Sequence, residues 1–252
     1  MLSRSAKKRI NERLKPRIWN WDYLGLQPIL RDIKYFSLLI KKKHPKKILD
    51  LGCGVKPYAT LFDFTDEFIG FDIAEDEGVD VIGKNWDLPF EDNKFDGLIS
   101  TQALEHTAKI NETIKEIQRV VKNDGLIFIS VPFAFPEHGI PYDFYRFTRY
   151  GLKEIFKDFK IIKIIPSCGY VATLIRLVNN FLMYIPGGRY IFMPIFLIDN
   201  IIAISIDYIV KIFFYIFGQK GKYIHDKIYM GFPDNYTIIL RNKKNSFQRT
   251  RK

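Results

Sequence analysis

The sequence predicts an α/β protein with a doubly wound, mostly parallel sheet. Short apolar runs alternate with helical periodicity from residue 47 to residue 166, the pattern of strands and crossover helices. The first run, Lys47-Ile48-Leu49-Asp50-Leu51, is apolar on both faces and ends in Gly52-Cys53-Gly54. A strand buried on both sides reads this way. The glycines let the backbone turn sharply and leave no Cβ between main chain and ligand. Asp72 closes the second run, 22 residues after Asp50.

Taken in order, residues 1–20 read as a frayed basic arm. Apolar residues at Leu26, Ile29, Leu30, Ile33, Phe36 and Ile40 have helical spacing, and His44-Pro45 ends that helix. Strand 47–51 and its glycine turn lead to a short helix over 58–64. Further strands are expected at 67–72, 79–82 and 95–100, then a helix over 111–121 that Asn123-Asp124-Gly125 closes. A fifth strand covers 126–131. Residues 132–150 form a loop dense in aromatic and polar side chains, followed by a helix over 151–159 and a sixth strand over 160–166. Residues 171–182 are helical, and 190–217 are very apolar but interrupted by Pro194, Asp199, Asp207 and Lys211. A last strand spans 236–241. The domain reading is a basic arm and helix (1–44), a cofactor-binding core (45–165), an apolar helical insert or lid (166–235), and a final strand with a basic tail (236–252).

The chain has 252 residues, 47% of them hydrophobic, enough for one full α/β domain with additions. Its two cysteines, Cys53 and Cys168, are too few for a disulfide framework or a cysteine-based zinc site, which suits a reduced cytoplasm. The start of the sequence has no apolar stretch of the secretory kind. A net charge of +11 is concentrated in Arg4–Arg17, in Lys41–Lys47 and in Arg241, Lys243, Lys244, Arg249, Arg251 and Lys252. Such clusters suit nucleic acid, anionic lipid or a phosphorylated substrate, or simply solubilise the termini.

An acidic residue at the end of the second strand is placed to accept hydrogen bonds from ribose hydroxyls. That geometry suits a dinucleotide or S-adenosylmethionine. The dinucleotide fingerprint requires a third glycine where this chain has Pro57, which argues against a dehydrogenase. Asp50-Leu-Gly-Cys-Gly54, Leu88-Pro-Phe-Glu-Asp-Asn-Lys-Phe-Asp96, Leu104-Glu-His106 and Arg119-Val-Val-Lys-Asn-Asp-Gly125 occur in the order and spacing of one family. Together they resemble class I S-adenosylmethionine-dependent methyltransferases of the small-molecule, type 11 branch, over residues 46–165. The resemblance implies a Rossmann-like sheet of seven strands whose last strand, 236–241, is antiparallel and inserted near the sixth.

What the resemblance implies for the cofactor is Asp50, Gly52 and Gly54 around its methionine and ribose part, Asp72 on the ribose and Ile73 against the adenine. Asn85 and Trp86 would flank the adenine, and Thr101 would lie near the sulfonium. The family's acidic residue after the third strand is Lys84 here, so adenine recognition falls to the Asn85 backbone, Trp86 or Asp87.

The loop after the fifth strand carries the candidate catalytic residues His138, Tyr142, Asp143 and Arg146. His138 is the candidate base, with Asp143 close enough in sequence to orient it. The string from His138 to Thr148 is similar to one in methyltransferases of bacterial surface-polysaccharide clusters. His106 suits a structural or cofactor-side role. No spaced cluster of metal ligands stands out, so no metal is expected. The predicted function is therefore methyl transfer from S-adenosylmethionine to an oxygen of a sugar or lipid-linked saccharide. An RNA methyltransferase and a non-catalytic protein that keeps the cofactor fold are the alternatives. The apolar segment 190–217 reads as a buried lid or as a peripheral surface for an anionic membrane, where Asp199 and Asp207 would oppose a full span.

Overall fold

The computed structural model describes residues 2–243. The part of the predicted basic tail from Lys244 onward lies outside the described residues. The chain folds into helices α1 (Arg4–Leu14) and α2 (Tyr23–Lys41), strand β1 (Lys47–Leu51), a 3-10 turn (Ala59–Phe62), β2 (Glu67–Asp72), β3 (Val81–Ile82) and β4 (Phe95–Thr101). A 3-10 turn (Leu104–His106), α3 (Ile110–Val120), β5 (Val121–Pro132), α4 (Arg149–Ile155) and β6 (Lys160–Pro166) follow. The remainder is α5 (Tyr170–Met183), α6 (Gly188–Ile191), α7 (Met193–Ile216), α8 (Gly218–Tyr229) and β7 (Asn235–Arg241).

The seven strands form one sheet in the order β3-β2-β1-β4-β5-β7-β6. All pairings from β3 to β5 are parallel, while β7 runs antiparallel between β5 and β6. The expected Rossmann-like topology, with its antiparallel last strand, is therefore present. Alternate residues of each central strand serve opposite cores. Leu49, Leu51, Ile127, Ile129 and Val131 pack with Ile114 and Ile117 of α3 and Leu152 of α4. Ile48, Leu126 and Phe128 face the other way, onto Ile29, Ile33, Phe36 and Ile40 of α2. Two-sided burial is why these strands read as unbroken apolar runs.

Several elements differ from the sequence expectation. Residues 4–14 are a helix rather than a frayed arm. Ser3 caps it by accepting from the Ala6 amide at 3.0 Å, and Arg9 grips Asp76 with two hydrogen bonds of 2.7 and 2.8 Å. Only Ala6 of α1 is buried, so the helix had no apolar stripe to betray it. Asn123-Asp124-Gly125 does not close a helix. It bends the beginning of β5, where Asp124 sits at φ 62°. The same residue types favour left-handed backbone in a helix cap and in a strand bend. Helix α8 falls within the expected helical insert, although no separate helix was placed there, and the helix expected over 58–64 is a single 3-10 turn.

Candidate active site

The site begins where β1 ends. The amides of Gly52 and Cys53 both donate to the Phe71 carbonyl, at 2.8 and 3.1 Å, which ties the turn to β2. Gly52 has φ +74°, and a Cβ there would stand 2.3 Å from the Ala103 Cβ. Gly54 has φ +49° with open space where its side chain would be. Asp72, at the end of β2, spans the mouth of this turn. Its Oδ2 accepts from the Gly54 amide at 2.8 Å and its Oδ1 from the Ile73 amide at 2.7 Å.

A cavity of about 320 Å³ lies above the turn. Gly52, Gly54, Asp72, Thr101 and Gln102 form its base, and Arg9, Glu12 and Arg13 of α1 form its roof. Asp50 is buried beneath it, and neither carboxylate oxygen has a hydrogen-bond partner. Burial pushes its pKa up to about 8; the charge on Lys56 opposes that shift and Asp72 adds to it. Ile73, Asn85 and Trp86 do not line this cavity. Ile73 is 60% exposed, and Asn85 donates to the Thr107 hydroxyl at 3.1 Å. The Trp86 ring lies between the ammonium groups of Lys84 and Lys109, at 6.0 and 5.7 Å.

A second cavity, of about 450 Å³, adjoins the first and shares Arg13, Asp22, Leu26 and Gln102 with it. Its other walls include Trp21, His106, Phe135, His138, Arg176 and Tyr184. His138 is thus beside the cofactor-type cavity, carried there by the loop after β5. Arg146 holds that loop in shape. It pairs with both Asp143 oxygens at 2.7 Å and donates to the carbonyls of Phe135, Pro136 and Tyr145 at 2.7–2.8 Å. These hydrogen bonds hold the Asp143 carboxyl down at about 2. Asp143 in turn accepts from the His138 amide at 2.8 Å. The nearby Glu105 carboxylate raises the His138 pKa; burial opposes it, and the Pro136 carbonyl and Asp143 add to it. At 3.8 Å from the ring Nε2, Glu105 acts through its charge rather than through a hydrogen bond. Tyr142 is 65% exposed and its ring does not line the cavity, but its carbonyl is the partner of His106 Nδ1 at 2.6 Å.

Several residues of the pair of cavities were not singled out from sequence. Arg13 was one charge among many in a basic segment. Gln102 sits in left-handed backbone at φ 52°, which no local pattern announces. Glu105, which lines neither cavity but lies beside His106 and His138, is fully buried, its two oxygens without hydrogen-bond partners. Arg176 did leave a signal, as the one charge in a mostly apolar helix, α5. Its guanidinium pairs with buried Asp234 and lies 4.4 Å from the centre of the Phe135 ring. A larger cavity, about 840 Å³, lies between α2, β6, α7 and α8. It shares no lining residue with these two and contains no glycine turn.

Residues 49–129, from the glycine turn to the middle of β5, match the family model described as a methyltransferase domain. Over that stretch the chain is similar to class I S-adenosylmethionine-dependent methyltransferases. The 24-methylenesterol C-methyltransferase 2 of Arabidopsis thaliana is 33% identical over 117 residues, which are 39% of this chain and 32% of that protein. The demethylmenaquinone methyltransferase of Symbiobacterium thermophilum is 33% identical over 133 residues, 44% of this chain and 49% of that protein. The chain spans about a third to a half of the length of these curated relatives. The crystal structure of the [4+2]-cyclase SpnF superposes with a TM-score of 0.53 at 17% identity, covering 86% of this chain and 83% of that one. That likeness concerns the fold alone.

The family implies S-adenosylmethionine, and the residues present fit it. Gly54 leaves room for a ligand against the main chain, Asp72 offers a carboxylate that could meet a ribose, and Asp50 is a buried, unpartnered carboxyl two residues before Gly52 that could balance a cationic amino acid.

Proposed function

We propose that this chain transfers a methyl group to an oxygen of a sugar or lipid-linked saccharide. The observation that carries the reading is the junction of the two cavities, one based on the glycine turn and the other walled by His138, with Arg13, Asp22, Leu26 and Gln102 common to both. Two reactants held in such adjoining spaces meet in line, and most of the catalytic advantage of this reaction class is positional. S-adenosylmethionine, when bound, supplies an electrophilic methyl group on a sulfonium. Asp50, Gly52 and Gly54 would hold its amino-acid end, Asp72 its ribose, and Thr101 would face the sulfur. Ile73, Asn85 and Trp86 would form an open ledge for the adenine.

On the acceptor side, His138 is the side chain that acts on the hydroxyl. Asp143 and Arg146 position it by fixing its loop, and the Tyr142 carbonyl anchors the neighbouring His106 ring. Trp21, Phe135 and Tyr184 give the cavity the aromatic walls that suit a saccharide's apolar faces. Turnover of radiolabelled methyl donor with cell-envelope extracts, intact and after delipidation, tests the acceptor class. His138→Ala should lower that turnover by about a hundredfold or more while cofactor binding is kept. Equal turnover by the variant, or labelling of RNA instead of glycan, would remove this reading.

The lipid-linked form of the acceptor draws support from α5, α7 and α8. Of the 24 residues of α7 only Phe196, Asn200 and Ala203 are buried, while Ile198, Ile209, Phe213 and Ile216 are exposed. No helix among the described residues is long and apolar enough to cross a membrane. An apolar helix face beside Lys211, Lys220 and Lys222 suits peripheral contact with an anionic bilayer, from which the acceptor would be reached. Flotation with vesicles of phosphatidylglycerol and phosphatidylcholine tests it: the protein should float with anionic vesicles and stay behind with neutral ones.

A further inference from the structure

Glu105, His106 and His138 come from two segments more than thirty residues apart, and their ligand-type atoms lie within 4.8 Å of one another. Glu105 Oε1 is 4.0 Å from His106 Nε2 and 3.8 Å from His138 Nε2. The carboxylate is fully buried and neither oxygen has a hydrogen-bond partner. An unpartnered carboxylate in that position is costly unless a cation meets it.

The two rings are oriented for the same purpose. His106 Nδ1 sits 2.6 Å from the Tyr142 carbonyl, which can only accept, so its proton is on Nδ1 and the Nε2 lone pair is free. His138 Nδ1 is 3.2 Å from the Pro136 carbonyl and 3.4 Å from Asp143 Oδ2. The Arg146 nitrogen at 3.3 Å from it already donates to both of those acceptors, at 2.7 Å each. That places the His138 proton on Nδ1 as well. In their neutral forms both imidazoles therefore turn an unprotonated Nε2 toward one buried carboxylate. A ring nitrogen anchored to a carbonyl, with the other nitrogen free, is how metal-binding histidines are held. Gly139, at φ +67°, packs against the His106 ring so closely that a Cβ would stand 3.0 Å from it.

We infer that Glu105, His106 and His138 bind a divalent first-row transition metal ion of the zinc type. Two imidazoles and one carboxylate suit such ions, and three protein ligands with an open side describe a catalytic rather than a structural site. Here the open side is the acceptor cavity, which His106 and His138 line. Ligand atoms around a tetrahedral zinc ion stand about 3.3 Å apart, so the side chains close by well under about 1 Å for the two Glu105 distances. The inference rests on the reading of that cavity as the acceptor site and deepens it. A hydroxyl coordinated there ionises more readily: its O–H bond breaks, the electron pair stays on oxygen and the proton passes to water. His138 then serves as a ligand, not as the base read from the sequence.

The test uses the full chain, freed of any affinity tag and of metal, titrated with cobalt(II) and followed by visible absorption. One equivalent should bind with the intense d–d bands of a low-symmetry site, and zinc(II) should displace it. Glu105→Gln, His106→Ala and His138→Ala should each weaken cobalt binding by about a hundredfold or more. Circular dichroism identifies any variant that has not folded, and the remaining ones still decide the matter. Absence of the bands in the wild type, or equal affinity in the folded variants, overturns the metal site. Calorimetry with S-adenosylmethionine is run in parallel on the metal-free protein. Cofactor binding without cobalt binding refutes only the metal; loss of cofactor binding refutes the methyltransferase reading.

Discussion

Replacing Asp50 with Asn should make the free protein more stable and the cofactor complex weaker. The Asp50 carboxyl is buried without a hydrogen-bond partner, and its pKa rises from 3.8 to about 8 on folding. Between those two values the folded protein holds a proton that the unfolded chain has released. Stability at this group therefore falls as pH rises through the window and levels off above pH 8. The full span corresponds to roughly 6 kcal/mol, of which roughly 3–4 kcal/mol is lost between pH 5 and pH 8. Asn has nothing to ionise. Asp50→Asn should thus raise the melting temperature modestly at pH 5 and by about 10 °C more at pH 8, for a chain of this size. The same change removes a carboxyl that can give up its proton beside a bound cationic amino acid, so affinity for S-adenosylmethionine should drop by about tenfold or more. Scanning fluorimetry at the two pH values, with and without cofactor, reads both effects. An equal gain at pH 5 and pH 8 would refute the assignment of a buried, protonated Asp50.

The remaining predictions concern the frame of the site. Gly52→Ala adds a Cβ at φ +74° and 2.3 Å from that of Ala103, so it should cost about 2–3 kcal/mol in chemical denaturation and abolish cofactor binding. Arg146→Lys cannot reproduce the bidentate pair with Asp143 and the three carbonyl contacts; a loss of about 2–4 kcal/mol is expected, with hydrogen exchange speeding up over residues 133–148. Arg9→Ala breaks an exposed pair with Asp76, so global stability should change by less than about 1 kcal/mol. Amide exchange across α1 should nevertheless quicken, because that pair and the Ser3–Glu77 contact tie the helix down.

The sheet and its glycine turn were legible in the sequence because their causes are local. Ile48 and Leu49 face opposite cores, and so do Phe128 and Ile129, so buried strands appear as continuous apolar runs. The helical spacing from Leu26 to Ile40 is the face that α2 lays on the sheet. Residues 4–14 carry no such record: α1 is polar, and its order comes from Ser3 and from Asp76 on a distant loop. Likewise, Asn123-Asp124-Gly125 announces left-handed backbone without saying whether a helix or a strand contains it.

For the site, the sequence by itself determined a strand that stops at two glycines, an acidic residue at the end of the next strand, and a polar aromatic loop after the fifth. Each is a property of neighbours a few positions apart. Only the tertiary structure decided that α1 roofs the glycine turn with Arg9 and Arg13, that Asp50 is sealed beneath it, and that Arg146 is spent on holding its own loop. The meeting of Glu105, His106 and His138 belongs to the same class. Whether a carboxylate finds a partner depends on which backbone segments pack against it, and that packing is settled by the whole sheet and its two cores.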